Sequence, residues 1–144
     1  MDPPKIIVKR ILPGNDLYET IKNEIALSVK NLYGKCSLSI STCVGSLKNC
    51  VIRLAGATPT NEKIVTIPGP LEIVSLVGTV TDVGIHVHIS VADSEGNTKG
   101  GHLMPGSLVD TTAEIVLIDI YQCSGIFFTR EQDPNTGFKE LVVK

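Results

Sequence analysis

Charge is scarce in this sequence. Asp, Glu, Lys and Arg together make up 19% of it, below the usual quarter. A surface this lightly charged is one that something covers, most simply a second copy of the same chain. Trp is absent and aromatic residues reach only 4%. There is no basic excess either. The formal net charge is −2 and the pI is near 5.9, whereas a nucleic-acid binder normally presents a basic face. Lys5, Lys9, Arg10, Lys30 and Lys35 are scattered, so DNA binding is expected to be weak and non-specific at most. No stretch approaches the roughly 20 apolar residues of a membrane span. The opening Met1-Asp2-Pro3-Pro4-Lys5 lacks the apolar segment of a signal peptide. The four cysteines, Cys36, Cys43, Cys50 and Cys123, form no CxxC pair and no disulfide framework, and read as buried thiols of a reducing compartment. A cytoplasmic or nuclear protein without a membrane partner is expected. Gly-rich phosphate loops, a G-x-S-x-G elbow and a cysteine-nucleophile signature are all missing.

With 144 residues, 42% of them apolar, the chain is expected to form a single domain over 1–144 around one hydrophobic core. Residues 5–12 read as a strand stopped by Pro13-Gly14. Asp16-Leu17-Tyr18-Glu19 has the D-x-x-E form of a capping box. Leu17, Ile21, Ile25 and Val29 follow at spacing four, which predicts one amphipathic helix ended by Gly34. From there the periodicity changes to two. Residues 37–44, 50–54, 71–81, 85–92, 113–122 and 125–129 read as strands. Turn chemistry separates them at Gly45-Ser46, Thr58-Pro59, Pro68-Gly69-Pro70, Glu95-Gly96-Asn97 and Pro105-Gly106. Strands in this number behind one early helix predict an α+β fold, a curved, barrel-like, mainly antiparallel sheet with the helix packed against it.

The segment Ile85-His86-Val87-His88-Ile89-Ser90-Val91-Ala92 alternates without a break. Successive strand side chains point to opposite faces, so Ile85, Val87, Ile89 and Val91 take the core side. His86 and His88 share the other. If Asp93 pairs with Asn97 around Ser94-Glu95-Gly96, stepping back along the hairpin sets His102 directly opposite His88, on the same face. A two-residue Glu95-Gly96 turn would send His102 to the other face, and Gly100-Gly101 could add a bulge. Three imidazoles on one face make a sufficient set for zinc, whose catalytic sites take three protein ligands and keep a fourth position for water. The plainer alternative is an exposed or interfacial histidine patch that binds nothing.

Glu114, at the start of an apolar strand, is the candidate catalytic carboxylate. It could complete a metal shell, orient a histidine or serve as general base, or it is a surface residue. Glu72 is a weaker case of the same kind. Arg53 and Arg130 sit in apolar surroundings, where an arginine usually meets a carboxylate or a chain carbonyl, and both read as partners in ion pairs, at a sheet edge or a subunit interface.

Several stretches together resemble one family. Gly84-Ile85-His86-Val87-His88-Ile89-Ser90-Val91-Ala92-Asp93, then Gly96, Gly100-Gly101-His102-Leu103 and Gly106, resemble the hallmark of the PPC (plants and prokaryotes conserved) domain. So do Arg10-x-x-Pro13-Gly14-x-Asp16-Leu17, Val44-Gly45-Ser46-Leu47 with Arg53-Leu54, Thr112-Ala113-Glu114, and the tail Arg130-Glu131-x-Asp133-x-x-Thr136-Gly137-Phe138. The resemblance covers nearly the whole chain. It implies a mixed, mainly antiparallel sheet with one long and some short flanking helices, and a homotrimer. It is to a stand-alone member: the chain has no AT-hook, the Arg-Gly-Arg-Pro arm that carries DNA binding in plant proteins. The plant partner-contact segment Gly-Arg-Phe-Glu-Ile-Leu is Gly69-Pro70-Leu71-Glu72-Ile73-Val74 here, without its Arg and Phe. Prokaryotic members that keep the histidines look like metal binders, and the fold is similar to that of acetolactate decarboxylases and some zinc-dependent ester hydrolases, a likeness of fold rather than of reaction. A metal- or small-ligand-binding domain, as a zinc hydrolase or lyase, and a non-enzymatic DNA-associated or protein-interaction domain are the two functions it leaves open.

Overall fold

A computed structural model describes residues 5–144; residues 1–4, which belong to the opening read for a signal peptide, lie outside the described residues. Strand β1 (Ile6–Ile11) leads through Pro13-Gly14 to helix α1 (17–33). Asp16 caps the helix, its carboxylate accepting the Glu19 N–H at 3.1 Å. Gly34 ends it in the left-handed conformation, φ 78°, which an L side chain enters only at a cost. The stripe Leu17, Ile21, Ile25 and Val29 is buried throughout. A spacing of four overshoots the 3.6 residues of an α-turn, so the stripe would drift around a regular helix. The Thr20–Ile25 stretch is wound as a π-helix, whose wider turn takes up that surplus.

The rest is mostly strand: β2 (Ser37–Arg53), β3 (Ile64–Thr81), β4 (Gly84–Ala92), β5 (Thr98–Leu103) and β6 (Val109–Asp119), then helix α2 (Ile120–Ser124), β7 (Phe128–Gln132) and β8 (Lys139–Val143). Two expected turns lie inside strands. Gly45-Ser46 does not end β2, which runs on through register shifts between Gly45 and Leu47 and between Leu47 and Asn49. Pro68-Gly69-Pro70 lies within β3, at a point where a Cβ on residue 69 would come within 2.2 Å of the Lys48 carbonyl. Glycine and proline there mark a close crossing of two long strands, not a reversal. The strand expected over 113–122 stops at Asp119, whose side chain caps α2 by accepting the Gln122 N–H at 3.0 Å. The strand expected at 125–129 begins at Phe128, and β8 was not anticipated.

Every strand pairing among the described residues is antiparallel. The main sheet runs β1-β6-β2-β3-β4-β5, and β5 also pairs with the far end of β2, Ile52 with Leu103 and Arg53 with His102. That last contact closes β2, β3, β4 and β5 into a small barrel. One aliphatic cluster fills the interior, from Leu17, Ile21 and Val29 of α1 to Ile52, Val87, Leu103, Ile115 and Leu117 of the sheet. Cys36, Cys43 and Cys50 are free and buried in it, whereas Cys123, also free, is exposed rather than buried as expected. Burial pushes the Cys36 and Cys43 thiols up to about 12 and that of Cys50 up to about 11, which suits core packing and not nucleophilic work. Among the described residues no helix is long and apolar enough to cross a membrane.

Candidate metal centre

The histidine face is built by one hairpin. Asp93 donates its N–H to the Asn97 carbonyl at 3.0 Å, and Gly96 donates to the Asp93 carbonyl at 3.0 Å. The Asp93 carboxylate accepts the N–H groups of Glu95 and Asn97, each at 2.9 Å. The loop is therefore the three residues Ser94-Glu95-Gly96, and β4 and β5 pair in register from Ala92 with Thr98 back to His88 with His102. Gly100 and Gly101 add no bulge to this ladder. Ile85, Val87, Ile89 and Val91 are buried in the core, so His86, His88 and His102 emerge together on the outer side.

Their side chains meet. His86 Nε2 and His88 Nε2 are 3.2 Å apart, and the three ring centroids are separated by 4.9, 5.1 and 5.8 Å. One nitrogen from each ring lies within 4.8 Å of the others. Bonds of roughly 2.0–2.1 Å to a tetrahedral zinc put ligand nitrogens about 3.3 Å apart. The His86–His88 pair already has that spacing, and the His102 nitrogen lies within 4.8 Å of both. Burial, then the nearby Arg53 guanidinium, brings the His102 pKa down to about 4. Burial, then Arg130, also lowers that of His86. Both shifts favour the neutral imidazole, the form with the lone pair a metal requires.

Two arginines flank the trio. Arg53, brought beside His102 by the β2–β5 closure, approaches Nδ1 of that ring at 3.5 Å and lies over the Phe138 ring at 4.8 Å. Arg130, on β7, donates to Thr79 Oγ1 at 2.6 Å and to the Lys139 carbonyl at 3.3 Å. Among the described residues neither arginine forms the expected ion pair, and Arg130 meets a chain carbonyl instead. Among the described residues the salt bridges are Lys30–Asp82 and Lys144–Glu131. Two adjoining hollows of about 410 and 320 Å³ open on the histidines. The first is walled by Arg53, Ala55, Gly56 and Gly101, the second by Arg53, Arg130, Phe138 and Glu140.

Glu114 is not brought to this site. It is exposed on β6, opposite Arg10 and Val44, and its carboxylate accepts from Thr112 at 3.5 Å. Val44 lies at the middle of β2 and Arg53 at its end, roughly 30 Å apart along the strand. Glu72 likewise lines a different hollow, beside Asp93 and Asp110. The carboxylate that faces the histidines is Glu140, which sequence reasoning missed together with the stacking role of Phe138. Both sit where the β7–β8 hairpin folds back, a placement no local pattern reveals.

The model of the Plants and Prokaryotes Conserved (PCC) domain matches residues 2–121. Bifunctional protein GlmU of a Synechococcus strain is 39% identical over 135 residues, 94% of this chain, which spans only 20% of that protein's length. A hypothetical protein of Salmonella enterica superposes with a TM-score of 0.80 at 30% identity, covering 96% of this chain and 92% of the other. A metal-containing protein of Archaeoglobus fulgidus superposes with a TM-score of 0.75 at 23% identity, covering 96% and 94%, a likeness of fold. The sequence match over most of the chain and the shared barrel agree: this chain belongs to the Plants and Prokaryotes Conserved domain family.

Proposed function

We propose that His86, His88 and His102 hold one divalent metal ion, zinc by the chemistry of the donors, and that the domain uses it on a small molecule as a zinc-dependent hydrolase or lyase, assembled as a homotrimer. The observation that carries the reading is the convergence of three imidazole nitrogens within 4.8 Å on an outward face. Neutral nitrogen donors in this number suit zinc and leave one tetrahedral position for an external ligand. The likeness in fold to the metal-containing protein of Archaeoglobus fulgidus supports the same reading. When bound, zinc supplies Lewis-acid polarisation of a substrate oxygen. The chain's own part is to fix the three rings on one hairpin and present Arg53, Arg130 and Glu140 around a hollow of small-molecule size. The trimer is supported by exposed apolar side chains on the outer strands, among them Ile6, Val8, Val44, Val74 and Val77. Val77 lies directly opposite His88.

Metal analysis of tag-free protein, dialysed against one equivalent of zinc and then buffer, tests the site. One zinc per chain is expected, with none retained by His88→Ala. That variant keeps its circular dichroism and melting temperature, because the core face of β4 is untouched. A wild-type protein that retains no zinc would reduce the trio to a surface histidine patch.

A further inference from the structure

Arg53 and Arg130 are charges that the metal site alone does not explain. Arg130 is only 8% exposed, its Nε has no hydrogen-bond partner, and its other nitrogens meet a hydroxyl and a backbone carbonyl, both uncharged. A guanidinium stays protonated under such burial, and among the described residues no carboxylate pairs with it directly; Glu140 acts on it only from a distance. Arg53 lies over the Phe138 ring and among the described residues makes only the 3.5 Å approach to His102, so most of its N–H groups are unspent. Both arginines, His86 and His102 wall the same hollow of about 320 Å³. Glu140, the one carboxylate in its lining, accepts from Thr136 at 3.1 Å and can offset only one of the two guanidinium charges. Three neutral imidazoles cannot offset a divalent ion, and two guanidinia beside it raise the positive charge further. Such a site calls for an anionic guest.

We propose that Arg53 and Arg130 form an oxyanion seat beside the three histidines, so that the molecule bound there presents a carboxylate or phosphate group to the paired guanidinia. The planar, multi-donor fork of arginine matches both groups. The proposal names the substrate class of the metal site and rests on that reading for the reaction it serves, whereas the anion seat itself can be observed without metal. Arg130, Phe138 and Glu140 all come from the hairpin that follows the matched 2–121 segment. That hairpin would therefore set which molecules the site accepts.

The test is titration of metal-free and zinc-loaded protein with inorganic phosphate and with acetate at constant ionic strength, followed by calorimetry and amide and guanidinium NMR shifts. Saturable binding of at least one anion to the metal-free protein is expected, with shifts centred on Arg53 and Arg130 and tighter binding once zinc is present. Phosphate binding the tighter marks a phosphate ester as guest, and acetate a carboxylic acid. Arg53→Gln and Arg130→Gln should each weaken binding at least tenfold, while Arg10→Gln, at the other end of the sheet, leaves it unchanged. If Arg130→Gln does not fold, Arg53→Gln still decides. Absence of saturable binding to either form, or affinity unchanged in Arg53→Gln, overturns the proposal. Arg53-dependent anion binding by a protein that takes up no zinc would uphold the seat and reject the metal reading; zinc uptake without anion binding would do the reverse.

Discussion

Asp119 shows how a single residue is held against its own chemistry. Its side chain is fully buried, one oxygen caps α2, and the other has no partner. Burial raises its pKa, opposed by the N–H groups of Gln122 and Tyr121. A carboxyl with a raised folded-state pKa contributes most to stability below its ordinary value near 3.8, and that contribution is lost as pH rises through the folded-state value. Asp119→Asn keeps a capping oxygen and removes the charge. It should therefore stabilise the protein at pH 7 by roughly 1 kcal/mol, a few degrees in melting temperature. The gain should fade as pH falls through the raised folded-state value, where the wild-type carboxyl becomes protonated. Thermal melts across that range check it, and a gain independent of pH would assign the effect to packing.

At the scale of elements, the β4–β5 hairpin was readable because its determinants are local. Alternation fixed the faces of His86 and His88, and the Asp93–Asn97 closure fixed His102. What surrounds the hairpin was not readable, because it depends on which strands become neighbours. Glu114 looked well placed on its own strand, yet β6 joins β2 at the end away from Arg53. Arg130 and Phe138 reach the site through a hairpin that packs from the far end of the chain. Glycine and proline misled for a related reason: at Gly45 and Gly69 they permit close strand crossings that local rules read as turns. Gly78 is the same kind of position inside the site, since a Cβ there would lie 2.2 Å from the His86 carbonyl. Gly78→Ala should cost about 1–3 kcal/mol from overpacking and weaken zinc retention by displacing β4. Gly96→Ala, in open space at φ 82°, should cost roughly 1–2 kcal/mol of backbone strain and leave zinc retention intact. Paired denaturation and metal-retention measurements separate the two.

For the molecule as a whole, the barrel covers one side of its long strands and leaves apolar side chains on the outside of β1, β2 and β3. A lightly charged surface with such strips is expected to be shared between copies. Light scattering at micromolar concentration should return three times the 15.4 kDa chain mass, and a monomer would remove the trimer from the account. The net charge of −2 carries a matching expectation for nucleic acid. Affinity for an A·T-rich duplex at physiological salt should be weaker than about 1 μM and insensitive to sequence. A fluorescence titration giving tighter binding would contradict it.

The most direct test of the central claim is X-ray absorption at the zinc edge on tag-free protein loaded with one equivalent of zinc. The account predicts nitrogen neighbours at roughly 2.0–2.1 Å with the scattering signature of three imidazoles, lost on replacing His88 with Ala. Zinc bound without that signature, or bound equally well by His88→Ala, would contradict it.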